Sequence, residues 1–309
     1  MTGVYDLGAV VGSLSCVFHG DKLGRKKSIM VGLIIALIAL PIEASSYSLA
    51  QFTISRILIG MSIGIISATV PVWQAECSGS AHRGAFVMFD GLCIASGIAL
   101  SQWVSFGFYS HVHSDLNWRI PVVLPVMFAI FAMPMLMFMP ESPRWLARKG
   151  RWDEARVTLA ILEDQEENSE FINDELAAIS LAISEIRGSL RDLGKNGPER
   201  VLHRTLLACV GQMFQQMCGI SALVFYTTSV FGDLGYKGTQ GRILSACLST
   251  FQACCSIIPL FTVDRFGRRK LFLFSAVGMT ICWAMVAGAG SKAKESTGMA
   301  RTAVVFMFL

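Results

Sequence analysis

"GDKLGRKK" occupies Gly20 to Lys27 and "VDRFGRRK" occupies Val263 to Lys270, each directly after an apolar run. Both follow the pattern Asp-x-x-Gly-Arg-[Lys/Arg]-Lys, and their aspartates, Asp21 and Asp264, stand 243 positions apart. In a chain that is 53% hydrophobic and 16% charged, the same charged pattern used twice points to a duplicated unit. Each copy reads as a tight connection of four to six residues between two helices. Gly24 and Gly267 permit the turn, while Asp21 and Asp264 accept hydrogen bonds at a helix end or pair with arginine. The alternative reading is that the basic residues only set orientation in a membrane.

The wider composition agrees with a membrane protein. Mean hydropathy is +0.54, with 28 glycines and 15 methionines in 309 residues, whereas a soluble domain carries about a quarter charged residues. The nine cysteines lie singly or as Cys254-Cys255 within apolar runs. They lack metal-site spacing and read as small core residues. Thr2 to Phe18 has neither the basic start nor the small-residue cleavage site of a secretory signal.

About 20 apolar residues cross a bilayer. Runs of that kind extend from Val4 to Gly20, Ser28 to Ser48, Thr53 to Ala75, Gly84 to Ser110, Ile120 to Pro140, Thr205 to Phe231, Ile243 to Val263 and Leu271 to Gly290. A further run begins at Thr302 and stops at Leu309. Eight spans and a stub are therefore expected, all helical, because lipid offers no partner for backbone polar groups and the runs lack strand alternation. Glu141 to Arg204 holds 23 of the 48 Lys, Arg, Asp and Glu residues. Its helical spacing of apolar residues predicts two or three short amphipathic helices at the membrane surface.

Counting crossings puts Lys22, Arg25, Lys26 and Lys27 on one side, together with Arg83, the Arg144 to Arg151 cluster and the Arg265 to Lys270 cluster. The connections at Ser45–Gln51 and His111–Asn117 carry no Lys or Arg. The positive-inside rule makes the basic side cytoplasmic. Lys237 with Arg242, and Lys292 with Lys294, depart from that pattern. If the halves are parallel repeats, one span is expected before Val4 and at least two beyond Leu309.

These features together are similar to a sugar porter of the major facilitator superfamily, most of all to the fungal sugar transporters. The resemblance rests on an ordered set: Asp21 to Lys26, Arg56-x-x-x-Gly60, Pro71-x-x-x-x-Glu76, Arg83-Gly84, Asn117-Trp118-Arg119, Pro140 to Trp145, Gln215-Gln216-x-x-Gly219 and Asp264 to Arg269. It implies an all-α membrane protein, an incomplete helix bundle of about eight full transmembrane helices plus a stub out of twelve. Residues 1–140 would form an N-terminal bundle lacking its first helix, 141–204 a cytoplasmic linker and 205–309 a partial C-terminal bundle. It further implies a cytoplasmic salt-bridge network of Asp21, Arg25, Glu76, Arg83, Glu141, Arg144, Asp264, Arg268 and Arg269, which latches the halves when the carrier opens outward.

Within the spans, Arg56 enters about one turn deep, where a charge costs up to roughly 2.5–3.5 kcal/mol, so a partner, a wet cavity or snorkelling to the surface is expected. The resemblance implies an acidic neighbour on a first helix that precedes this sequence, which leaves coupling through Arg56 open. Gln215 and Gln216 supply donors and acceptors together, as a neutral polyol requires, or else join helices. Ser221, Phe225, Tyr226 and Gln252 complete the candidate substrate-binding set, with Trp103 and Trp283 as aromatic walls. Ser221, Phe225, Gly91 and Gln252 each depart from the family's usual Asn, Tyr, Gln and Asn, which puts ordinary glucose selectivity in doubt and leaves a disaccharide, pentose, sugar acid or polyol. Asp90 is expected near the basic side. Gly60, Ser62 and Gly64 permit close helix packing, and Pro71, Pro121, Pro125 and Pro134 are expected to kink helices.

The expected function is transport of a sugar or related polyol by alternating access, with protons as a candidate second partner, in the plasma membrane. The alternatives are a transport-inactive truncated product and a non-transporting sugar sensor. No enzyme activity, cofactor, metal or nucleic-acid partner is expected; His19, His82, His111, His113 and His203 have no ligand spacing beyond His111-x-His113.

Overall fold

Two glycines set the helix boundaries that matter most. Gly24 alone separates α1 (Thr2–Leu23) from α2 (Arg25–Ala44), and Gly267 alone separates α13 (Ile257–Phe266) from α14 (Arg268–Ser291). Both adopt positive φ, +89° and +80°, the region that only glycine enters without strain. The connection is thus a single residue, shorter than the four to six expected, because the helical pattern runs through the flanking charged residues.

The computed structural model describes residues 2–78, 83–112, 114–185, 200–291 and 296–308. All regular structure in them is helical. Six stretches are long and apolar enough to cross a membrane: Arg25–Ala44, Leu49–Cys77, Met88–His111, Leu116–Phe138, Thr239–Val263 and Arg269–Ser291. Two further runs expected from the sequence fall short of that standard for different reasons. Helix α1 has the length, but Asp6 and its Gly and Ser residues dilute its apolarity. The run from Thr205 to Phe231 is divided into α10 (Val201–Met217) and α11 (Ile220–Asp233), with Gly219 at φ +84° between them. The last run appears as α15 (Thr297–Phe308).

The chain separates into two compact units, Met1–Ile179 with Ala253–Asp264, and Ser180–Gln252 with Arg265–Leu309. In the first, α3 (Leu49–Cys77) lies along both α1 and α2. Its start is fixed by Ser48, whose hydroxyl accepts the Gln51 N–H at 3.2 Å. Small residues bring the α1 and α3 backbones together reciprocally. A Cβ on Gly60 or Gly64 would sit 2.1–2.2 Å from the carbonyl oxygen of Tyr5 or Ala9. One on Gly8 or Gly12 would sit 2.2–2.3 Å from that of Ile57 or Met61. On the neighbouring face, the buried Ser62 hydroxyl donates across to the Gly32 carbonyl of α2 at 2.7 Å. A small residue at position 62 therefore serves the α2 contact while its glycine neighbours serve α1.

Helix α4 (Arg83–His111) leads to α5 (Leu116–Val123) and α6 (Pro125–Phe138), which form one span interrupted at Leu124 before Pro125. Helices α3 and α6 continue past Pro71 and Pro134 without interruption. The charged insert folds into α7 (Pro143–Arg148), α8 (Trp152–Glu163) and α9 (Glu170–Glu185). Their buried sides carry Trp145, Leu146, Ala155, Leu159, Ile172, Leu176 and Ile179. In the second unit, α11 is tied to α12 (Thr239–Cys255) by Thr228 and Ser245, whose hydroxyls lie 3.2 Å apart. Helix α15 buries Ala300, Ala303 and Met307, and its Phe308 packs on Phe251 of α12 at 5.9 Å.

Candidate functional site

The charged motifs of the first unit converge on the α1–α2 turn. Arg25 forms a two-pronged pair with Glu76 near the end of α3, Nε and Nη2 each donating at 3.0 Å to a different carboxylate oxygen. The two side chains are only 17% and 14% exposed, so this is the best-shielded ion pair of the cluster. The remaining Arg25 amine donates to Asp21 at 3.3 Å, and Arg148 of α7 reaches the other Asp21 oxygen at 3.1 Å. Beside the Arg25–Asp21 contact lies a cavity of about 140 Å³ lined by Cys16, Gly20, Ala68, Thr69 and Val72. It is large enough for water, which weakens that contact relative to the Glu76 pair.

Glu141 takes a different place from the arginine partner that the resemblance implies. Its carboxylate accepts the backbone N–H groups of Arg25, Lys26 and Ser142 at 3.1–3.3 Å. It therefore caps the start of α2, where Gly24 has no side chain to do so. Gly24 must also be small for this reason, since a Cβ there would lie 2.7 Å from Glu141 Oε2. The following residues complete the clasp: Ser142 caps α7 through the Trp145 N–H, and the Trp145 indole N–H donates to the Asp21 carbonyl at 3.0 Å. Lys26 donates to the carbonyls of Met137 and Met139 at the end of α6. Arg144 is exposed, and among the described residues neither it nor Arg269 forms an ion pair. The side chains of Arg83, Asp264 and Arg268 lie outside the described part of the structure, as do His82 and His113.

At the opposite end of the same helices, Arg56 has the partner that its depth requires. Its Nε lies 2.7 Å from Oε1 of Glu43 on α2, which is 3% exposed. The contact is an ion pair. The Arg56 guanidinium also lies 5.0 Å over the Phe52 ring. Nearby, Arg119 donates to the carbonyls of Ala44 and Ser46, at 2.8 and 3.2 Å, and is flanked by the rings of Tyr47 and Trp118. That arrangement neutralises the carbonyl end of α2 and gives the Asn117-Trp118-Arg119 motif a physical purpose. Glu43 and the role of Arg119 escaped the sequence reading. The available signal was an acid closing one apolar run and an arginine opening the next, with a short connection between.

In the second unit, Gln215 and Gln216 stand at the last turn of α10, immediately before its break. The Ser221 hydroxyl donates to Gln216 Oε1 at 3.0 Å across the break, which leaves the Gln216 NH2 group as a donor. Gln215, Phe225 and Tyr226 are exposed, and so is Gln252 on α12. Gly219 packs against the Trp283 ring of α14, where a Cβ would come within 3.1 Å. Among the described residues there is no cluster of metal-ligating side chains.

The family described as "Sugar (and other) transporter" matches residues 1–309. The chain belongs to this sugar transporter family. The sugar transporter STL1 of Saccharomyces cerevisiae is 34% identical to it, over all of this chain and 55% of STL1. The low-affinity glucose transporter HXT3 of the same yeast is 31% identical, over 94% of this chain and 51% of its own length. This member of the family thus spans about half the length of the curated relatives it matches. Its fold is that of the major facilitator superfamily: the proton:xylose symporter XylE, bound to 6-bromo-6-deoxy-D-glucose, superposes with a TM-score of 0.83 at 20% identity, covering 99% of this chain and 66% of XylE. A partially occluded inward-open form of XylE from E. coli gives 0.79 at 19% identity. The relatives are transporters rather than enzymes, and this family member is an integral membrane protein.

Proposed function

We propose that the chain forms part of a carrier that moves a sugar or related polyol across the plasma membrane by alternating access. The observation that carries this reading is the clasp around Gly24, in which Asp21, Arg25, Glu76, Glu141 and Arg148 tie the α1–α2 turn to the end of α3 and to α7. A cluster of ion pairs at one end of a helix bundle can be made in one state and broken in another, which alternating access needs. The positive-inside rule, applied to the basic residues, supports a cytoplasmic position for this end and for the linker at 141–204. On this reading residues 1–140 and 205–309 belong to two bundles, and Arg83, Arg144, Asp264, Arg268 and Arg269 join the latch in the closed state.

The solute is neutral and rich in hydroxyls. Gln215, the NH2 of Gln216 and Gln252 offer donors and acceptors, and Phe225, Tyr226 and Trp283 offer apolar faces for the ring or carbon chain. Glucose is named for HXT3 and xylose for XylE; the serine and phenylalanine at 221 and 225 favour a solute other than glucose. The test is uptake of a panel of labelled pentoses, hexoses, disaccharides and polyols by a transporter-deficient host expressing a full-length carrier that contains this sequence. One class should enter above background. Gln215→Ala should raise its half-saturating concentration roughly threefold to tenfold, the equivalent of one lost hydrogen bond, with membrane insertion unchanged. A properly inserted full-length carrier containing this sequence that takes up none of the panel would overturn the carrier reading.

A further inference from the structure

The helix ends remote from the α1–α2 turn carry a cation that the protein leaves partly uncompensated. Arg119, in the first turn of α5, donates through Nη1 to the Ala44 carbonyl and through Nη2 to that of Ser46, which uses two of its five N–H groups. Among the described residues it forms no ion pair. Glu43, one position before Ala44, is paired with Arg56, and Asp115, four positions before Arg119, is exposed and unpaired with it. The carbonyl end of α2 offsets only about half of one unit charge. We propose that Arg119, with Tyr47 and Trp118, binds the phosphate headgroup of a membrane phospholipid in the leaflet opposite the clasp.

Three membrane-spanning stretches meet the boundary here: Arg25–Ala44 finishes, while Leu49–Cys77 and Leu116–Phe138 begin. Arg119 therefore lies at the level where helices leave the apolar layer, the level of lipid headgroups and of interfacial aromatic residues. Its guanidinium lies over two rings, 4.6 Å from the centre of Tyr47 and 4.9 Å from that of Trp118. Tyr47 is 90% exposed and Trp118 is exposed too, as are Leu49 and Leu116, which open α3 and α5 within two positions of these rings. The cation thus carries an apolar rim that no part of the described chain covers. Trp118 stands edge-on to Phe52 of α3, 6.5 Å between centres, and Arg119 is tied to α2, so three helices fix the arrangement before any ligand arrives. A neutral polyol would leave the charge as it is, and a free anion would gain nothing from the rings. A phospholipid answers both: its phosphate oxygens accept from the remaining Arg119 N–H groups, while its glycerol and upper acyl chain cover Tyr47 and the two leucines. At the clasp, by contrast, Arg25 is already engaged by Glu76 and Asp21. Binding at Arg119 requires membrane insertion alone and is independent of the solute carried.

Native mass spectrometry of a full-length carrier containing this sequence, purified in uncharged detergent and titrated with short-chain phosphatidylcholine, counts bound lipid and requires no transport. The wild type should retain a phosphatidylcholine whose affinity falls at least roughly tenfold in Arg119→Gln, the loss of a charge-assisted hydrogen bond, and roughly threefold in Tyr47→Ala, the loss of one ring contact. Diacylglycerol with the same chains, which lacks the phosphate, should bind at least roughly tenfold more weakly and should not distinguish the wild type from Arg119→Gln. The proposal is overturned if phosphatidylcholine binds the wild type and Arg119→Gln alike or if diacylglycerol binds as tightly as phosphatidylcholine. It is overturned as well if inorganic phosphate or a neutral sugar displaces the lipid, which would assign the site to a free anion or to the solute. Should Arg119→Gln fail to fold, Tyr47→Ala decides alone, since its exposed ring has no part in the core, an unchanged affinity counting against the proposal.

Discussion

Glu141 and Glu76 are both carboxylates at the α1–α2 turn, yet they act on different parts of Arg25. Glu141 receives its backbone N–H and Glu76 its guanidinium. Glu141→Ala should therefore behave as the loss of a helix cap, costing about 1 kcal/mol in thermal unfolding of the detergent-purified chain, with Glu141→Gln milder because one acceptor oxygen remains. Glu76→Ala should cost more, roughly 1–3 kcal/mol, since it strands a largely buried guanidinium. Arg25→Lys should recover little, because an ammonium cannot make the two-pronged contact. A double-mutant cycle between Arg25 and Glu76 should show a coupling of at least about 0.5 kcal/mol; additive effects would mean the pair is incidental. The turn glycines and the charged set around them are legible from spacing alone. Which carboxylate meets which donor is not. Asp21 takes Arg148, one helical turn beyond Arg144, and Glu43 takes Arg56, because partners are chosen by how helix ends abut.

Helix pairing follows the same division between what a pattern shows and what only packing supplies. Gly60 and Gly64 announce a close approach on α3, but nothing in the sequence says that α1 answers with Gly8 and Gly12 while Ser62 turns to α2. Gly60→Ala should force α1 and α3 apart and destabilise the chain by about 1–3 kcal/mol, as overpacking does. Gly97→Ala, where no atom lies within 4 Å of the added methyl, should be neutral within about 0.5 kcal/mol or slightly stabilising. Equal unfolding temperatures for the two variants would remove the close contact from the account. Apolar runs locate spans but do not report their interruptions. The run from Thr205 to Phe231 looks continuous in hydropathy, whereas the positive φ of Gly219 divides it. The break between α5 and α6 is more legible, since Pro125 marks it.

For the molecule as a whole, the repeated turn is the feature most open to a direct check. In a cysteine-less background, single cysteines at Lys27 and Lys270 should react with a membrane-impermeant maleimide only after the cells are permeabilised. Labelling of one from outside and the other from inside would show that the two motifs are not related by a parallel repeat. Class and helical content follow from composition, because a bilayer leaves few ways to satisfy a backbone. The solute does not follow, since it depends on a handful of polar atoms whose arrangement hydropathy cannot see. The division of α10 from α11 bears on the two amides proposed above for that handful. Two amides stand at a knuckle rather than along a rigid bar, so a solute gripping them would hold the very place where the rod can bend.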